Sequence, residues 1–179
     1  DAIVYLDFKH EYYASKIINT ENIRILTIGC GGSTKNQWPL SSYISLINLI
    51  HTGSLQIILI GNMEQQGFAN QIEQGLKFKI KNMVGKTTLL ESAAILKKSD
   101  LFIGTDSGLG HLASSVNCPT LTIFGPDEPT RCRPWSIRSY WLQGPNKAID
   151  EVTPQQVYDI LNRVLGNLCI SQAHEGLVG

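Results

Sequence analysis

Asp106, Ser107 and Gly108 stand where the apolar run Leu101-Phe-Ile-Gly-Thr105 gives way to Leu109-Gly-His-Leu-Ala113. A second apolar run, Thr120-Leu-Thr-Ile-Phe124, follows and ends in Gly125-Pro126. The pattern reads as strand, tight polar turn, short helix and strand. Such a turn sets Asp106, Ser107 and Gly108 at the start of a helix, where unpaired backbone N–H groups and the helix dipole favour an anion. At the carboxyl end of a strand in an open α/β sheet, this is where phosphorylated ligands bind. The same residue types also serve as ordinary helix caps, so the stretch alone leaves both readings open.

Gly29-Cys-Gly-Gly-Ser-Thr-Lys35 is a second candidate. Its glycines permit close backbone approach, Ser33 and Thr34 offer hydroxyls, and Lys35 offers a charge for phosphate. The segment matches neither G-x-G-x-x-G nor G-x-x-x-x-G-K-[ST], and by itself it reads equally well as a surface turn. Gly61-Asn-Met-Glu64 and Val84-Gly-Lys-Thr87 are two further strand-to-helix junctions. Four such turns on one sheet edge would make a pocket. Alone, His111 reads as a packed or hydrogen-bonded histidine, and Trp38 and Trp135 as loop anchors. No Ser-His-Asp set or glycosidase-type carboxylate pair stands out.

These turns need a framework. Apolar, β-branched runs at 23–28, 55–60, 101–103 and 120–124 suit strands buried on both faces of a parallel sheet. Helical patterns separate them. In residues 39–50, Tyr43, Leu46, Ile47 and Ile50 share a face, with a stop at His51-Thr-Gly53. Residues 63–76 fit a partly exposed helix. Residues 87–96 open with a Thr88–Glu91 capping box and align Leu89, Ala93 and Leu96. A helix over 7–18 capped by Asp7, and another over 153–165 with Thr153 as cap and Pro154 at its first position, flank this core. The alternation predicts a doubly wound, Rossmann-like parallel α/β layer.

A chain of 179 residues with formal net charge zero suits one domain. No basic run argues for nucleic acid as partner, and no apolar segment has bilayer length. Cys30, Cys118, Cys132 and Cys169 are widely spaced, without CxxC or a histidine cluster. Reduced thiols, no metal and a cytoplasmic location are the expectation.

The chain resembles the C-terminal domain of the bacterial heptosyltransferases, glycosyltransferase family nine. Gly31-Gly-Ser33 with Trp38-Pro39, Ile60-Gly61 with Glu64, and Val84-Gly-Lys-Thr87 with Leu89 carry the likeness. Gly104-Thr-Asp-Ser-Gly-Leu-Gly-His-Leu-Ala113, Phe124-Gly-Pro-Asp-Glu-Pro129 and Arg133-Pro-Trp135 complete it. The resemblance implies the donor-binding half of a GT-B enzyme, with residues 1–22 as interdomain linker and lead-in helix, 23–165 as nucleotide-sugar domain and 166–179 as tail.

It further implies inverting, metal-independent sugar transfer from ADP-heptose or another nucleotide diphosphate sugar to a hydroxyl of a lipopolysaccharide-core acceptor. Acceptor and catalytic base belong to an N-terminal domain, so this half is inactive alone, and the full enzyme associates peripherally with the inner membrane. Ser33, Thr34, Lys35, Ser107, Gly108, Leu109 and His111 would hold the diphosphate, with Lys35 stabilising the leaving group. Asp106 would accept sugar hydroxyls, while Gly61, Glu64, Val84, Gly85 and Lys86 would hold the nucleotide. Where the family carries lysine two residues before Trp-Pro, this chain has Asn36, with Lys35 one place earlier. A non-catalytic nucleotide-sugar module is the alternative. A GT-B-like epimerase would need an acid/base set within this domain.

Overall fold

The computed structural model describes residues 4–19, 24–51 and 54–166. Strands β1 (Arg24–Gly29), β2 (Leu55–Ile60), β3 (Lys81–Asn82), β4 (Leu101–Thr105), β5 (Thr120–Phe124) and β6 (Ser139–Gln143) form one sheet. All pairs are parallel, in the order β3-β2-β1-β4-β5-β6. Around it lie helices α1 (Phe8–Ile17), α2 (Leu40–Ile50), α3 (Gln66–Gln74), α4 (Leu89–Lys97), α5 (Gly108–Ser115), α6 (Pro129–Cys132) and α7 (Pro154–Leu165), with short 3-10 turns between elements.

Alternate strand residues feed two cores. Leu55, Ile57 and Leu59 of β2 pack with α2, α3 and α7, while Ile58 and Ile60 pack with α1, α4 and α5. Double-sided burial explains why these strands are apolar throughout. The expected face of α2 is as read, and Asp7, Thr88 and Thr153 each cap their helix in a reciprocal capping box. Helix α1 buries Ala14 in the same core as Ala93 and Leu96 of α4.

Several readings are corrected. Leu89 is 67% exposed and not on the buried face of α4, because the capping box at Thr88 makes it the first helical residue, outside the packed turns. The 63–76 pattern begins as a 3-10 turn, Met63–Gln65, before α3. Strands β3 and β6 were not legible, since one has two residues and the other is a half-exposed edge. Ile23, Thr52, Gly53, Cys169 and the tail beyond Gly166 lie outside the described residues.

Trp38 is the anchor its sequence suggested, at 0% exposure. Its Nε1 donates to the Val152 carbonyl at 2.8 Å, and its ring meets Tyr43 edge-on at 5.1 Å. Tyr43 in turn donates from its hydroxyl to the Gly29 carbonyl at the end of β1. Trp38→Ala should cost about 3–5 kcal/mol in urea unfolding, with Trp38→Phe losing clearly less. A loss below about 1 kcal/mol would show that this packing does not hold the loop after β1.

Candidate functional site

Because every strand pair is parallel, the turns after β1, β2, β3, β4 and β5 meet at one edge. They fall into two groups. In the first, the Gly85 N–H donates to the Gly61 carbonyl at 3.0 Å, joining the β2 and β3 turns. A Cβ at Gly61 would lie 2.5 Å from the Cys30 carbonyl oxygen, so this turn also touches the end of β1. Glu64 is exposed, whereas the Val84 side chain is wholly core, leaving only its backbone at the edge. Lys86 folds back, its Nζ donating to the Asn82 carbonyl at 2.9 Å.

The second group joins the β1, β4 and β5 turns. Thr105 donates from its hydroxyl to the Gly31 carbonyl at 2.5 Å. Gly32 has φ +129, and a Cβ there would sit 2.7 Å from Thr105 Oγ1, so a glycine is needed. Residues Thr34–Asn36 form a 3-10 turn. From it Lys35 Nζ reaches Asp127 Oδ1 at 2.9 Å, and Asn36 Nδ2 reaches Oδ2 at 2.7 Å. Asn36 is buried and Lys35 exposed, so Asn36 is fixed in place while the lysine stays at the surface. Gln143 of β6 donates from Nε2 to the Gly125 and Asp127 carbonyls at 2.6 and 2.9 Å, fixing the turn behind Asp127.

Ser107 is the N-cap of α5, yet neither its hydroxyl nor Asp106 caps the helix, so the plain capping reading fails. The first N–H groups of α5 therefore lack a side-chain partner at the edge of the sheet. Ser33 and Thr34 are exposed beside the same loop. Burial, then the negative charge of Asp127, raises the Asp106 carboxyl above the ordinary aspartate value, with His111 and Lys35 opposing. Hydrogen bonds from Asn36 and then Lys35 hold Asp127 below it, and the Asp127 contact raises Lys35.

Two residues depart from their expected roles. His111 is exposed and neither packed nor hydrogen-bonded; it faces a groove beside residues 130–137. Trp135 is 85% exposed and does not anchor a loop through its ring. Asp127 was missed as a site residue, although a Gly-Pro-Asp turn after a core strand was the available signal. Cys30 and Cys118 are buried free thiols, each pushed up to about 12 by desolvation, and Cys132 is also free. Among the described residues no three His, Cys, Asp or Glu side chains cluster for a metal, and no helix is long and apolar enough to cross a membrane.

An open parallel sheet in this order, with helices on both faces, is a Rossmann-like α/β fold. The chain belongs to glycosyltransferase family 9, the heptosyltransferases, whose family pattern matches residues 10–159. It is 33% identical over 135 residues to the lipooligosaccharide heptosyltransferase 2 of Campylobacter jejuni serotype O:2, covering 73% of this chain and 42% of that protein. The structure of Escherichia coli ADP-heptose lipopolysaccharide heptosyltransferase II aligns with TM-score 0.82 at 20% identity, over 91% of this chain and 53% of that one.

Escherichia coli WaaC bound to ADP-2-deoxy-2-fluoro heptose aligns with TM-score 0.71 at 18% identity, over 86% and 47%. TibC from enterotoxigenic Escherichia coli, an iron-containing dodecameric glycosyltransferase, aligns with TM-score 0.61 at 14% identity, over 83% and 46%. The chain thus spans about half the length of the proteins it matches.

The Asp106 carboxylate is disfavoured by folding, which fixes the sign of its pH effect. A raised folded-state pKa contributes stability that is complete below the unfolded value and lost as pH rises through the folded one. Asp106→Asn should therefore stabilise the chain near neutral pH by a few tenths of a kcal/mol, the scale of a solvent-screened charge pair. The gain should shrink toward about pH 4. Urea unfolding across that range checks it, and a variant less stable than wild type at neutral pH would contradict the electrostatic account.

Proposed function

We propose that this domain holds the nucleotide diphosphate sugar of a lipopolysaccharide-core heptosyltransferase, with ADP-heptose as the leading donor. The observation that carries the reading is the uncapped start of α5, with Asp106 and Ser107 unengaged, beside the Lys35–Asp127 pair. Family membership and the ADP-heptose analogue bound by WaaC support the choice of donor.

In this reading the backbone of Ser107, Gly108 and Leu109 and the hydroxyls of Ser33 and Thr34 receive the diphosphate. Lys35, held by Asp127, lends positive charge as the leaving group departs, and His111 adds charge when protonated. Fixed donors of this kind are each worth about 3 kcal/mol to a transition state. Asp106 accepts hydroxyls of the sugar. The Gly61–Glu64 and Val84–Lys86 turns meet the nucleoside through backbone groups.

The reaction is inverting and needs no metal. An acceptor hydroxyl oxygen attacks the anomeric carbon as the bond from that carbon to the diphosphate breaks. The hydroxyl proton passes to a base on an N-terminal domain, which also holds the acceptor, so this polypeptide binds donor without completing transfer. Residues 1–22 then serve as linker, 23–165 as donor domain and 166–179 as tail, in a cytoplasmic enzyme. The substitution of Asn36 for the family lysine favours one competing reading, a module that binds donor and has lost transfer.

The donor assignment predicts a differential effect. Asp106→Ala should weaken binding of ADP-heptose by about 1.5–3 kcal/mol, the worth of a hydrogen bond to a charged group, and binding of ADP much less. Isothermal titration of both ligands separates the two losses. Equal weakening would mark Asp106 as a residue that shapes the turn, and no binding of either ligand by the wild type would sink the donor reading.

A further inference from the structure

The two edges of the sheet are built differently. Beside β3, Lys77, Lys79 and Lys81 stand exposed and only two residues pair, which guards that edge against a further strand. Edge strand β6 is Ser-Tyr-Trp-Leu-Gln, five residues with no charge, proline or glycine. It ends the strand order, so among the described residues no strand covers its outer side. Tyr140 and Trp141 are 38% and 42% exposed there. An uncharged, aromatic edge of this kind is a template for pairing with another chain.

The register with β5 fixes which groups are free. The Arg138 carbonyl accepts from the Thr120 N–H at 3.0 Å, and Thr120 lies beside Ser139. Backbone groups alternate in direction along a strand, so those of Arg138, Tyr140 and Leu142 face β5. The N–H and C=O groups of Ser139, Trp141 and Gln143 face outward. Side chains alternate as well: Leu142 packs on the core shared by α2 and α7, so Trp141 lies on the opposite face of the sheet. The ends of the strand carry opposite charges. Arg138 precedes β6, its Nη2 donating to the Asn117 carbonyl at 2.5 Å, and pairs with no carboxylate among the described residues. Exposed Glu151 packs beside Gly144 at the other end, where a glycine Cβ would lie 3.0 Å from the Glu151 Cβ.

We propose that β6 pairs antiparallel with β6 of a second copy of this chain, about a two-fold axis at Trp141, joining the two sheets edge to edge. The outward groups fit this symmetry. Trp141 faces Trp141 of the second copy and Ser139 faces its Gln143, each pair exchanging both N–H···O=C bonds. The two Trp141 side chains then lie on one face as a cross-strand aromatic pair. Arg138 of each copy arrives opposite Gly144 of the other, whose missing side chain leaves room to reach Glu151. A parallel pairing in register would instead set Arg138 beside Arg138 and Glu151 beside Glu151. The contact is self-complementary and closes at two copies. It stands apart from the donor reading, since Arg138, Tyr140, Trp141 and Glu151 are not placed in the donor site.

Sedimentation velocity of the 179-residue chain over a series of concentrations is the test. A reversible monomer–dimer equilibrium is expected. Trp141→Pro removes only an outward N–H, as an edge strand tolerates, and should weaken the dimer about tenfold or more. Trp141→Lys, which guards this edge as lysines guard β3, should weaken it to a similar extent. Glu151→Arg should weaken it about threefold or more, and Arg138→Glu/Glu151→Arg should restore it, with circular dichroism and urea unfolding showing that each variant is folded. A chain that stays monomeric throughout, a dimer unchanged by both Trp141 variants, or no rescue by the charge swap would overturn the proposal. So would a dimer lost in Trp135→Ser/Ile137→Ser but kept in Trp141→Pro, which would move the contact to the neighbouring segment. Dimerisation only after deletion of residues 167–179 would overturn it too, making that tail the occupant of the edge.

Discussion

The carboxylate of Asp127 is the contact on which the shape of the carboxyl edge depends. One oxygen takes the exposed Lys35 ammonium and the other takes the buried Asn36 amide, while its own carbonyl accepts from Gln143. Through this residue the β1 loop, the β5 turn and the edge strand β6 become one unit. Close packing behind it leaves no slack. A Cβ at Gly125 would lie 2.9 Å from both Asn36 Oδ1 and the Lys35 carbonyl oxygen. The Asn36 amide takes the buried position, and the neighbouring Lys35 ammonium reaches the same carboxylate from outside.

The helix N-termini are closed unequally. Helices α1, α4 and α7 close their N-termini with reciprocal capping boxes, and α5 alone among these four presents its first turn without a side-chain cap. Asp106 adjoins the like charge of Asp127 without a hydrogen-bond partner of its own. Helices α2, α3 and α6 also begin without a side-chain cap, so what sets α5 apart is that its first turn adjoins the Lys35–Asp127 pair at the carboxyl edge.

Much of this was legible in the residues, for definite reasons. Strands buried on both faces must be apolar along their length, so β1, β2, β4 and β5 announced themselves, and the capping residues set the starts of α1, α4 and α7. What escaped depended on edges and distant contacts. In residues 76–81, Lys77, Lys79 and Lys81 point outward around Phe78 and Ile80. That alternation protects an exposed strand edge, but only two residues pair as β3. The bond from Lys35 to Asp127 spans 92 residues, and no local pattern reveals it. Trp135 was misread because tryptophan is on average highly buried, whereas here Pro134 takes the packed position beside Gly110.

The central claim is that a nucleotide diphosphate sugar sits across the α5 N-terminus and the β1 loop, braced by Asp127. Backbone amide NMR of the chain titrated with ADP-heptose tests it most directly. The account predicts the largest shifts at Gly31, Gly32, Ser33, Thr34 and Lys35 and at Ser107, Gly108 and Leu109, with smaller ones at Gly61 and Gly85. Perturbations confined to the opposite edge of the sheet, around His51, Gln56 and Lys79, with the α5 N-terminus unmoved, would contradict it.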